Sequence, residues 1–459
     1  MTNTDNFNEA FFYSIYPLGF CGALYANPTP GRHDFFTRNP PQNRLAAISN
    51  SWLDHICSLG ANAVYFGPLF ESTYHGYDTA DYFWVDRRLG TNGDFARLVE
   101  KMHRRGIKVV VDGVFNHVGR NFWAFADVQK NGQNSPYKDW FYLDFSRNNH
   151  FNDGFCYRGW EGCLDLVQLN LQNPAVKQHL IDAALYWIEN FKIDGIRFDV
   201  AYMIDRQFLA EISAACRRAK SDIWLLGEMI HGTYTEIANG AMLDSATNYE
   251  CYKGLYSSLN DKNYFEIAYA FKRQSANGGI YQHLHLFNFA DNHDVDRVAS
   301  KIGKKAHLFP LYLMLFTMPG IPSVYYGSEF GIEGVKTGAK DENVRPAIDL
   351  AQISANPPVA GLAENIKRFA QIRKNTPVLV NGNYEELLVK NEQFAYKRQL
   401  GDKCAIAVFN LNDNFAEITV PAHGANGTLH DQLGGKNYTV QNGVLTLQVP
   451  PNWGMVLTN

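Results

Sequence analysis

The chain has 459 residues, of which 46% are hydrophobic and 19% charged, and its formal net charge is −4. This length exceeds the size at which one hydrophobic core stops growing, so a large domain with one or two smaller ones is expected. The slightly acidic charge argues against nucleic acid as a partner. Prolines interrupt the longest apolar stretch, Leu308 to Tyr326, so we predict a buried helix and a strand there and no membrane segment.

The N-terminus and the cysteines both favour a cytoplasmic protein. Met1 to Ala10 contains neither the basic region nor the apolar region of a leader peptide. The seven cysteines are odd in number and scattered, which favours reduced thiols. A disulfide between Cys156 and Cys163 is the alternative.

Eight strand-like apolar runs alternate with segments of helical spacing. Between the second and third runs, apolar residues from Phe95 to Met102 recur at helical spacing and Gly106 ends the helix. Another helix begins with an Asn173 cap and Pro174 at its first position. This alternation predicts an α/β fold, a (β/α)8 TIM barrel. The runs begin near Phe11, Ala63, Ile107, Ile193, Ile223, Met242, His285 and Ile321.

Two regions depart from this alternation. From Val118 to Asp165 the chain is rich in Asn, Gly and aromatic residues without a clear period, and it is too long for an ordinary loop. After Pro377, short alternating segments separated by Asn and Gly turns predict an antiparallel β-sandwich. The predicted domains are therefore a barrel (1–117 and 166–377), an inserted subdomain after strand 3 (118–165) and a C-terminal β-sandwich (378–459).

Four short acidic segments follow the third, fourth, fifth and seventh predicted strands. The carboxyl ends of parallel barrel strands converge on one mouth, so we expect the polar side chains of these segments to lie together. The segments are Asp112–His117, Gly195–Ala201, Leu226–Glu228 and Asp291–Asp294.

Three carboxylates at these strand ends suit the hydrolysis of a glycosidic bond, in which two carboxyl groups flank the bond. Asp199 follows Arg197 by two residues, so both side chains share one face of the strand and the cation would keep Asp199 ionised as a nucleophile. Glu228 has no cationic neighbour in the sequence, so desolvation would raise its pKa and let it donate a proton.

The third carboxylate, Asp294, would bind sugar hydroxyls and favour a distorted ring. The neutral imidazoles of His117 and His293 would form hydrogen bonds with the same sugar. A single segment of this kind is also typical of a capped strand end or a satisfied polar group in a core. Four such segments in order, with these residue types, favour the catalytic interpretation.

On these motifs the chain resembles the α-amylase family of glycoside hydrolases over nearly its whole length. The resemblance implies that Asp199 is the nucleophile, Glu228 the general acid/base and Asp294 the stabiliser of the transition state. It also implies that the subsite for the sugar under attack is lined by Arg197, His117 and His293.

The segment from Tyr74 to Tyr82 resembles the family's loop after the second strand, in which Tyr77 would stack on the sugar. Simple packing of Tyr77 is the alternative. We further hypothesise that Asp78 pairs with Arg345 to wall off the far end of the cleft, which would favour exo action. A plain surface ion pair, or no contact, is the alternative.

Within the family, the segments from Phe115 to Phe141 and from Tyr77 to Tyr82 are closer to those of cyclomaltodextrinases and neopullulanases. With a first strand near Phe11, the extra N-terminal domain of those relatives is expected to be absent, which leaves the oligomeric state open. The Met229, Ile230 and His231 that follow Glu228 replace a Trp usual in those relatives, so the acceptor side of the cleft is altered.

The calcium-dependent α-amylases typically have Lys and His three and four residues after the nucleophile, where this chain has Tyr202 and Met203. Asn116 matches a calcium-ligand position, but we cannot assemble from the sequence the roughly six to eight oxygens that calcium takes. We therefore predict no essential metal and no other cofactor.

These features predict a retaining hydrolase of α-glucosidic bonds in short maltodextrins or cyclodextrins, acting by double displacement on an oligosaccharide substrate. An α-glucan transglycosylase, which uses the same covalent intermediate, is one alternative. A non-catalytic sugar-binding relative is another, and the presence of all three carboxylates disfavours it.

Overall fold

The computed structural model of the protein describes residues 7–27, 42–48, 50–338, 341–422 and 427–459. Residues 1–6, on which most of the leader-peptide interpretation depends, lie outside these ranges. In the described parts of the chain, no helix is long and apolar enough to cross a membrane.

The first part of the fold contains the first three barrel strands and the region inserted after them. Its elements are β1 (Phe12–Ile15), α1 (Pro17–Phe20), α2 (Asn50–Leu59), β2 (Ala63–Phe66), β3 (Phe70–Ser72), β4 (Thr79–Val85), α3 (Asn92–His103), β5 (Lys108–Gly113), β6 (His117–Gly119), α4 (Trp123–Asn131), β7 (Leu143–Asp144), β8 (Cys156–Tyr157), β9 (Gly159–Trp160) and β10 (Cys163–Gln168).

The second part completes the barrel. Its elements are α5 (Pro174–Tyr186), continued by a π-helical turn (Trp187–Phe191), β11 (Gly195–Phe198), α6 (Arg206–Ala219), β12 (Trp224–Gly227), β13 (Ser245–Ala246), α7 (Tyr249–Asn260), α8 (Phe265–Ser275), β14 (Phe287–Phe289), α9 (Val298–Lys301), α10 (Leu308–Thr317), β15 (Ile321–Tyr325), α11 (Leu350–Ala355), α12 (Leu362–Asn375) and α13 (Pro377–Asn381).

Eight parallel strands form the barrel in the order β1, β2, β5, β11, β12, β13, β14 and β15, and β15 pairs again with β1. A parallel bridge between Thr247 and Phe287 joins β13 to β14 and closes the cylinder. All eight predicted strands are found within three residues of their expected starts, which confirms the (β/α)8 prediction.

The sequence signals for the outer helices are also confirmed. The side chain of Thr91 accepts a hydrogen bond from the Asp94 amide, and the Asp94 carboxylate accepts one from the Thr91 amide, so a capping box begins α3. The side chain of Asn173 accepts from the Ala175 amide and begins α5. The stretch from Leu308 to Tyr326 forms the buried helix α10 and then β15, as expected.

An aromatic stack fixes the end of β5, where the first acidic segment lies. The fully buried Trp187 stacks on Phe70 with ring centroids 4.1 Å apart, and on Phe115 at 5.5 Å. Its indole N–H donates to the carbonyl of Tyr82 at 2.7 Å. Since Phe115 lies two residues before His117, this packing holds the backbone that presents that imidazole to the barrel mouth.

The insertion between β5 and α5 forms two small antiparallel sheets, β6–β10–β9 and β7–β8. The Arg120 guanidinium binds the Asp153 carboxylate through two hydrogen bonds of 2.8 Å, and it lies over the ring of Phe151. Cys156 and Cys163 in this region are free thiols, as are the other five cysteines, so the alternative of a disulfide is wrong.

The C-terminal part forms two antiparallel sheets, in the strand orders β16–β17–β18–β23–β20–β21 and β19–β22. They share an apolar core and confirm the predicted sandwich. The residues directly after Pro377 form α13 rather than a strand, because proline at the first helical position favours a helix start. The strands are β16 (Asn383–Val389), β17 (Gln393–Leu400), β18 (Lys403–Asn410), β19 (Ala416–Pro421), β20 (Thr428–Asp431), β21 (Asn437–Thr439), β22 (Val444–Val449) and β23 (Trp453–Thr458).

Replacing Trp187 by alanine tests the aromatic stack. The substitution Trp187→Ala removes a fully buried ring and an indole hydrogen bond, so we expect a loss of about 3–5 kcal/mol in the free energy of unfolding. Phe415→Ala is the control, because Phe415 is 68% exposed and its loss is expected to change stability by about 0.5 kcal/mol or less. Thermal unfolding followed by circular dichroism measures both, and equal midpoints for the two variants would contradict the role of the stack.

Candidate active site

A cavity of about 680 Å³ opens at the carboxyl ends of the barrel strands. It brings together most of the residues that the sequence singled out. Those lining it are Tyr77, His117, Asp199, Glu228, Asp294 and Arg345. The remaining three are buried side chains, Asp78, Arg197 and His293.

The buried guanidinium of Arg197, on β11, joins three carboxylates at the floor of the cavity. Its Nη1 donates to Asp199 Oδ1 at 2.8 Å and to both oxygens of Asp112 at 2.8 and 2.9 Å. Its Nη2 lies 2.7 Å from Glu228 Oε1. Asp199 and Glu228 therefore line the same cavity, and each contacts a different terminal nitrogen of one guanidinium group.

The pKa of Asp199 differs from the sequence-based expectation. Burial raises it well above its usual range, and the nearby Glu228 adds to this effect, whereas the ion pair with Arg197 lowers it. The predicted contact with Arg197 is present, but desolvation outweighs it. Asp199 and Glu228 are thus a coupled pair that tends to retain a proton.

Glu228 has a cationic neighbour that the sequence did not indicate. Arg197, on the adjacent strand β11, lies within ion-pair distance of it. Glu228 Oε2 also accepts from the Val200 amide at 2.9 Å, and the hydroxyl of Tyr249 lies 3.5 Å from Oε1. Burial nevertheless raises the pKa of Glu228; Arg197 opposes this and the charge of Asp294 adds to it. The predicted direction of the shift is therefore retained.

The residue after Asp199 has an unusual backbone. Val200 adopts a φ of +40°, which is rare for a β-branched side chain. This conformation lets its amide reach Glu228 across the cavity floor. The strained backbone of Val200 thus helps to orient the Glu228 carboxyl group. Strain of this kind is common at functional sites.

Asp294 also lines the cavity but has a different environment. Its carboxylate is 3.0 Å from His293 Nε2 and accepts from Arg345 Nη2 at 3.2 Å. Although burial raises the pKa of Asp294, these two neighbours hold it well below the usual range. Asp294 is therefore ionised at neutral pH.

Tyr77 both packs and lines the cavity. Its ring stacks on His293 with centroids 5.6 Å apart. Its hydroxyl contacts the same imidazole and donates to Asp112 at 3.2 Å. Tyr77 thus links the Asp112 and Asp294 sides of the site and presents part of its ring to the opening.

His117 is a neutral imidazole in this site, because burial, with a smaller effect from His75, lowers its pKa to about 3. Its Nδ1 contacts the side chain of Asn116 at 3.2 Å. Its Nε2 lies 4.0 Å from Asp199 Oδ2. Among the described residues, neither this nitrogen nor the indole N–H of Trp160 has a hydrogen-bond partner, and both residues line the cavity.

The hypothesis of an Asp78–Arg345 pair is wrong. The Asp78 carboxylate accepts hydrogen bonds from the backbone amides of the turn that precedes it, residues 74–76. Arg345 instead pairs with Asp294 and with Asp341 at 3.3 Å. Asp78 stabilises the turn at residues 74–76, and Arg345 forms its ion pairs with Asp294 and Asp341. Because the two side chains do not pair, the argument for exo action no longer holds.

The side chains considered as calcium ligands, Asn116 and Asp153, have other partners in the structure. Asn116 contacts His117, and Asp153 of the insertion is paired with Arg120. Across the part of the chain that the structure describes, no group of three or more His, Cys, Asp or Glu side chains is arranged to hold a metal. The absence of an essential metal stays a prediction.

Three residues of the site were not assigned a role from sequence. Asp112 opens the first acidic segment, and its place directly after an apolar strand-like run was a usable signal. Trp160 comes from the insertion, and Tyr249 begins α7, where no motif distinguishes either from an ordinary core aromatic residue.

Comparison with known proteins agrees with this geometry. Residues 45–377 match the α-amylase catalytic domain. A cyclomaltodextrinase from Geobacillus thermopakistaniensis (strain MAS1) is 29% identical over 98% of this chain and 76% of the relative. An intracellular maltogenic amylase from Bacillus subtilis is 32% identical over 89% of this chain and 69% of the relative.

A solved structure shows the same overall arrangement. The cyclic α-maltosyl-(1→6)-maltose hydrolase from Arthrobacter globiformis, in complex with that cyclic sugar, matches with a TM-score of 0.82 and 28% identity over 100% of both chains. With its closed barrel, its buried carboxylates and these matches, the chain belongs to the α-amylase family of glycoside hydrolases.

Proposed function

We propose that the protein is a retaining hydrolase that cleaves α-glucosidic bonds in short maltodextrins or cyclodextrins by double displacement. Asp199 is the nucleophile, Glu228 the general acid/base and Asp294 the stabiliser of the transition state. The observation that carries this proposal is the Arg197 guanidinium, which holds Asp199 and Glu228 at one opening. Retaining enzymes need their two carboxyl groups close together, about 5–5.5 Å apart, and a guanidinium bound to both carboxylates keeps this pair close.

In the first step, Asp199 attacks the anomeric carbon and the bond to the leaving oxygen breaks. Burial raises the pKa of both Asp199 and Glu228, which favours retention of a proton by the pair. Attack requires that this proton is on Glu228, which transfers it to the leaving oxygen. Arg197 stabilises the nucleophile as an anion through its hydrogen bond to Asp199, and the same guanidinium also pairs with Glu228.

In the second step, water cleaves the glycosyl ester. Esterification removes the charge of Asp199, so Arg197 is shared between Asp112 and Glu228 alone. The ionised form of Glu228 is then favoured, as a general base requires. Glu228 takes a proton from water, and the attack of the resulting nucleophile restores Asp199.

The sugar under attack lies among groups that supply complementary contacts. The neutral His117 and the N–H of Trp160 provide hydrogen-bonding groups, and the ring of Tyr77 provides an aromatic face. The ionised Asp294 suits the positive charge that develops on the ring in the transition state.

The substrate class follows from the relatives and the cavity. The relative from Geobacillus is named a cyclomaltodextrinase, and the Arthrobacter enzyme hydrolyses a cyclic maltose derivative. The cavity volume of about 680 Å³ lies in the range typical of small-ligand sites. Both support a short or cyclic α-glucan as the oligosaccharide partner.

We also propose a cytoplasmic location. The Bacillus relative is named an intracellular enzyme, and the seven cysteines of this chain are free thiols. Reduced cysteines are typical of cytosolic proteins.

Removing the nucleophile tests the proposed roles. We expect Asp199→Ala to lower kcat on maltotriose and β-cyclodextrin by about 10⁴-fold or more, because the covalent intermediate is lost. Asp182→Ala, which changes an exposed carboxylate on α5, is the control for folding and expression. Release of reducing sugar measures activity, and NMR identifies the anomer that wild-type protein releases first. Retained activity in the variant, or release of the β-anomer, would contradict the mechanism.

Asp112 provides a test of the coupled charges. Its negative charge raises the pKa of Glu228, so Asp112→Asn should lower that pKa. Since Glu228 must be protonated in the first step, the high-pH limb of the kcat/KM profile should move to lower pH. Profiles on maltotriose measure the shift, with thermal unfolding as a check of the fold. A high-pH limb that stays in place or moves upward would show that Asp112 does not act on Glu228.

A further inference from the structure

A second groove, of about 410 Å³, lies beside the catalytic cavity. The loop after β12 forms one side of it, and helices α7 and α8 form the other. Ile230, His231, Tyr249 and Tyr269 are among its lining residues. The proposed chemistry uses none of this surface.

The groove continues the catalytic cavity on the side of Glu228. Ile230 lines both spaces and is 43% exposed. Tyr249 lines the groove, and its hydroxyl lies 3.5 Å from Glu228 Oε1. A chain that leaves the cavity past Glu228 therefore meets the groove directly.

The charged side chains of the groove neutralise one another. Glu250 pairs with Arg273 and accepts a hydrogen bond from Gln274 at 2.9 Å. Lys253 pairs with Glu266. Because each charge has a partner of opposite sign, the groove favours an uncharged ligand over an ion.

The groove also offers an exposed aromatic face. Tyr269, on α8, lines the groove and is 66% exposed. Rings with a polar tip bind ligands that combine apolar faces with hydroxyls, and the paired carboxylates at the rim supply hydrogen-bond acceptors. A glucosyl unit has both properties.

We propose that this groove binds the leaving-group side of the α-glucan chain and that Tyr269 stacks on a glucosyl unit there. The direction follows from Glu228, which protonates the leaving oxygen, so the sugars attached to that oxygen extend past Glu228. This inference rests on the proposed function, since it needs Glu228 as the acid.

The test compares a substrate that fills the groove with one that does not. Maltopentaose places sugars on the leaving-group side, whereas p-nitrophenyl α-maltoside has only a nitrophenyl group there. For Tyr269→Ala, the ratio of kcat/KM on maltopentaose to kcat/KM on the nitrophenyl substrate should fall about three- to tenfold, the range expected for one lost stacking contact. KM for maltopentaose should account for most of this change.

Phe265→Ala is the matched control. Phe265 is on the same helix and is 50% exposed, but it does not line the groove. The control should leave the ratio unchanged. If the wild type is active and Tyr269→Ala leaves the ratio of the two kcat/KM values unchanged, the inference about the groove is overturned and the proposed function stands. If the wild type is inactive on both substrates, the proposed function is overturned as well. Sedimentation that shows a wild-type oligomer dissociated by Tyr269→Ala would make this surface a protein contact and would also overturn the inference.

Discussion

The site depends on one buried cation shared by three carboxylates. Arg197 contacts Asp112, Asp199 and Glu228 within 2.9 Å, and all four side chains are buried. A buried charge is tolerated only when it is paired, and one cation cannot balance three anions. The cluster is therefore stabilised by retaining a proton on the Asp199–Glu228 pair. That proton is what the chemistry of a glycosidic bond requires, so the charge balance and the proposed mechanism have the same cause.

The barrel makes this cluster possible because its strands are parallel and in register. Arg197 on β11 lies opposite Asp112 on β5 and opposite Leu226 on β12, two residues before Glu228. This register places the polar side chains of neighbouring strand ends at the same height along the barrel axis. The stacked Trp187 and Phe115 hold the adjacent backbone, so the packing of the barrel also limits how far the charged groups can relax.

Local signals predicted much of this structure. The eight strands, the caps at Thr91 and Asn173 and the carboxylates at strand ends are each encoded within a few residues, so the sequence alone was enough to predict them. The contact between Arg197 and Glu228 joins two strands and gives no local signal. The same limit explains the wrong Asp78–Arg345 pair, because the backbone amides that bind Asp78 belong to a turn whose shape no spacing indicates. Trp160 and Tyr249 resemble ordinary core aromatic residues in sequence and acquire a role only through position.

Segments outside the barrel strands complete the cavity and the groove beside it. Trp160 comes from the insertion after β5, while Ile230 and His231 belong to the loop after β12. The ring of His231 packs on that of Tyr202, with ring centroids 4.8 Å apart. Loops on a rigid barrel can change without disturbing the strands that hold the carboxylates. In the proposed function, the shared guanidinium therefore serves the cleavage of the bond, whereas the insertion and the proposed groove beside Glu228 act on which glucan chain reaches it.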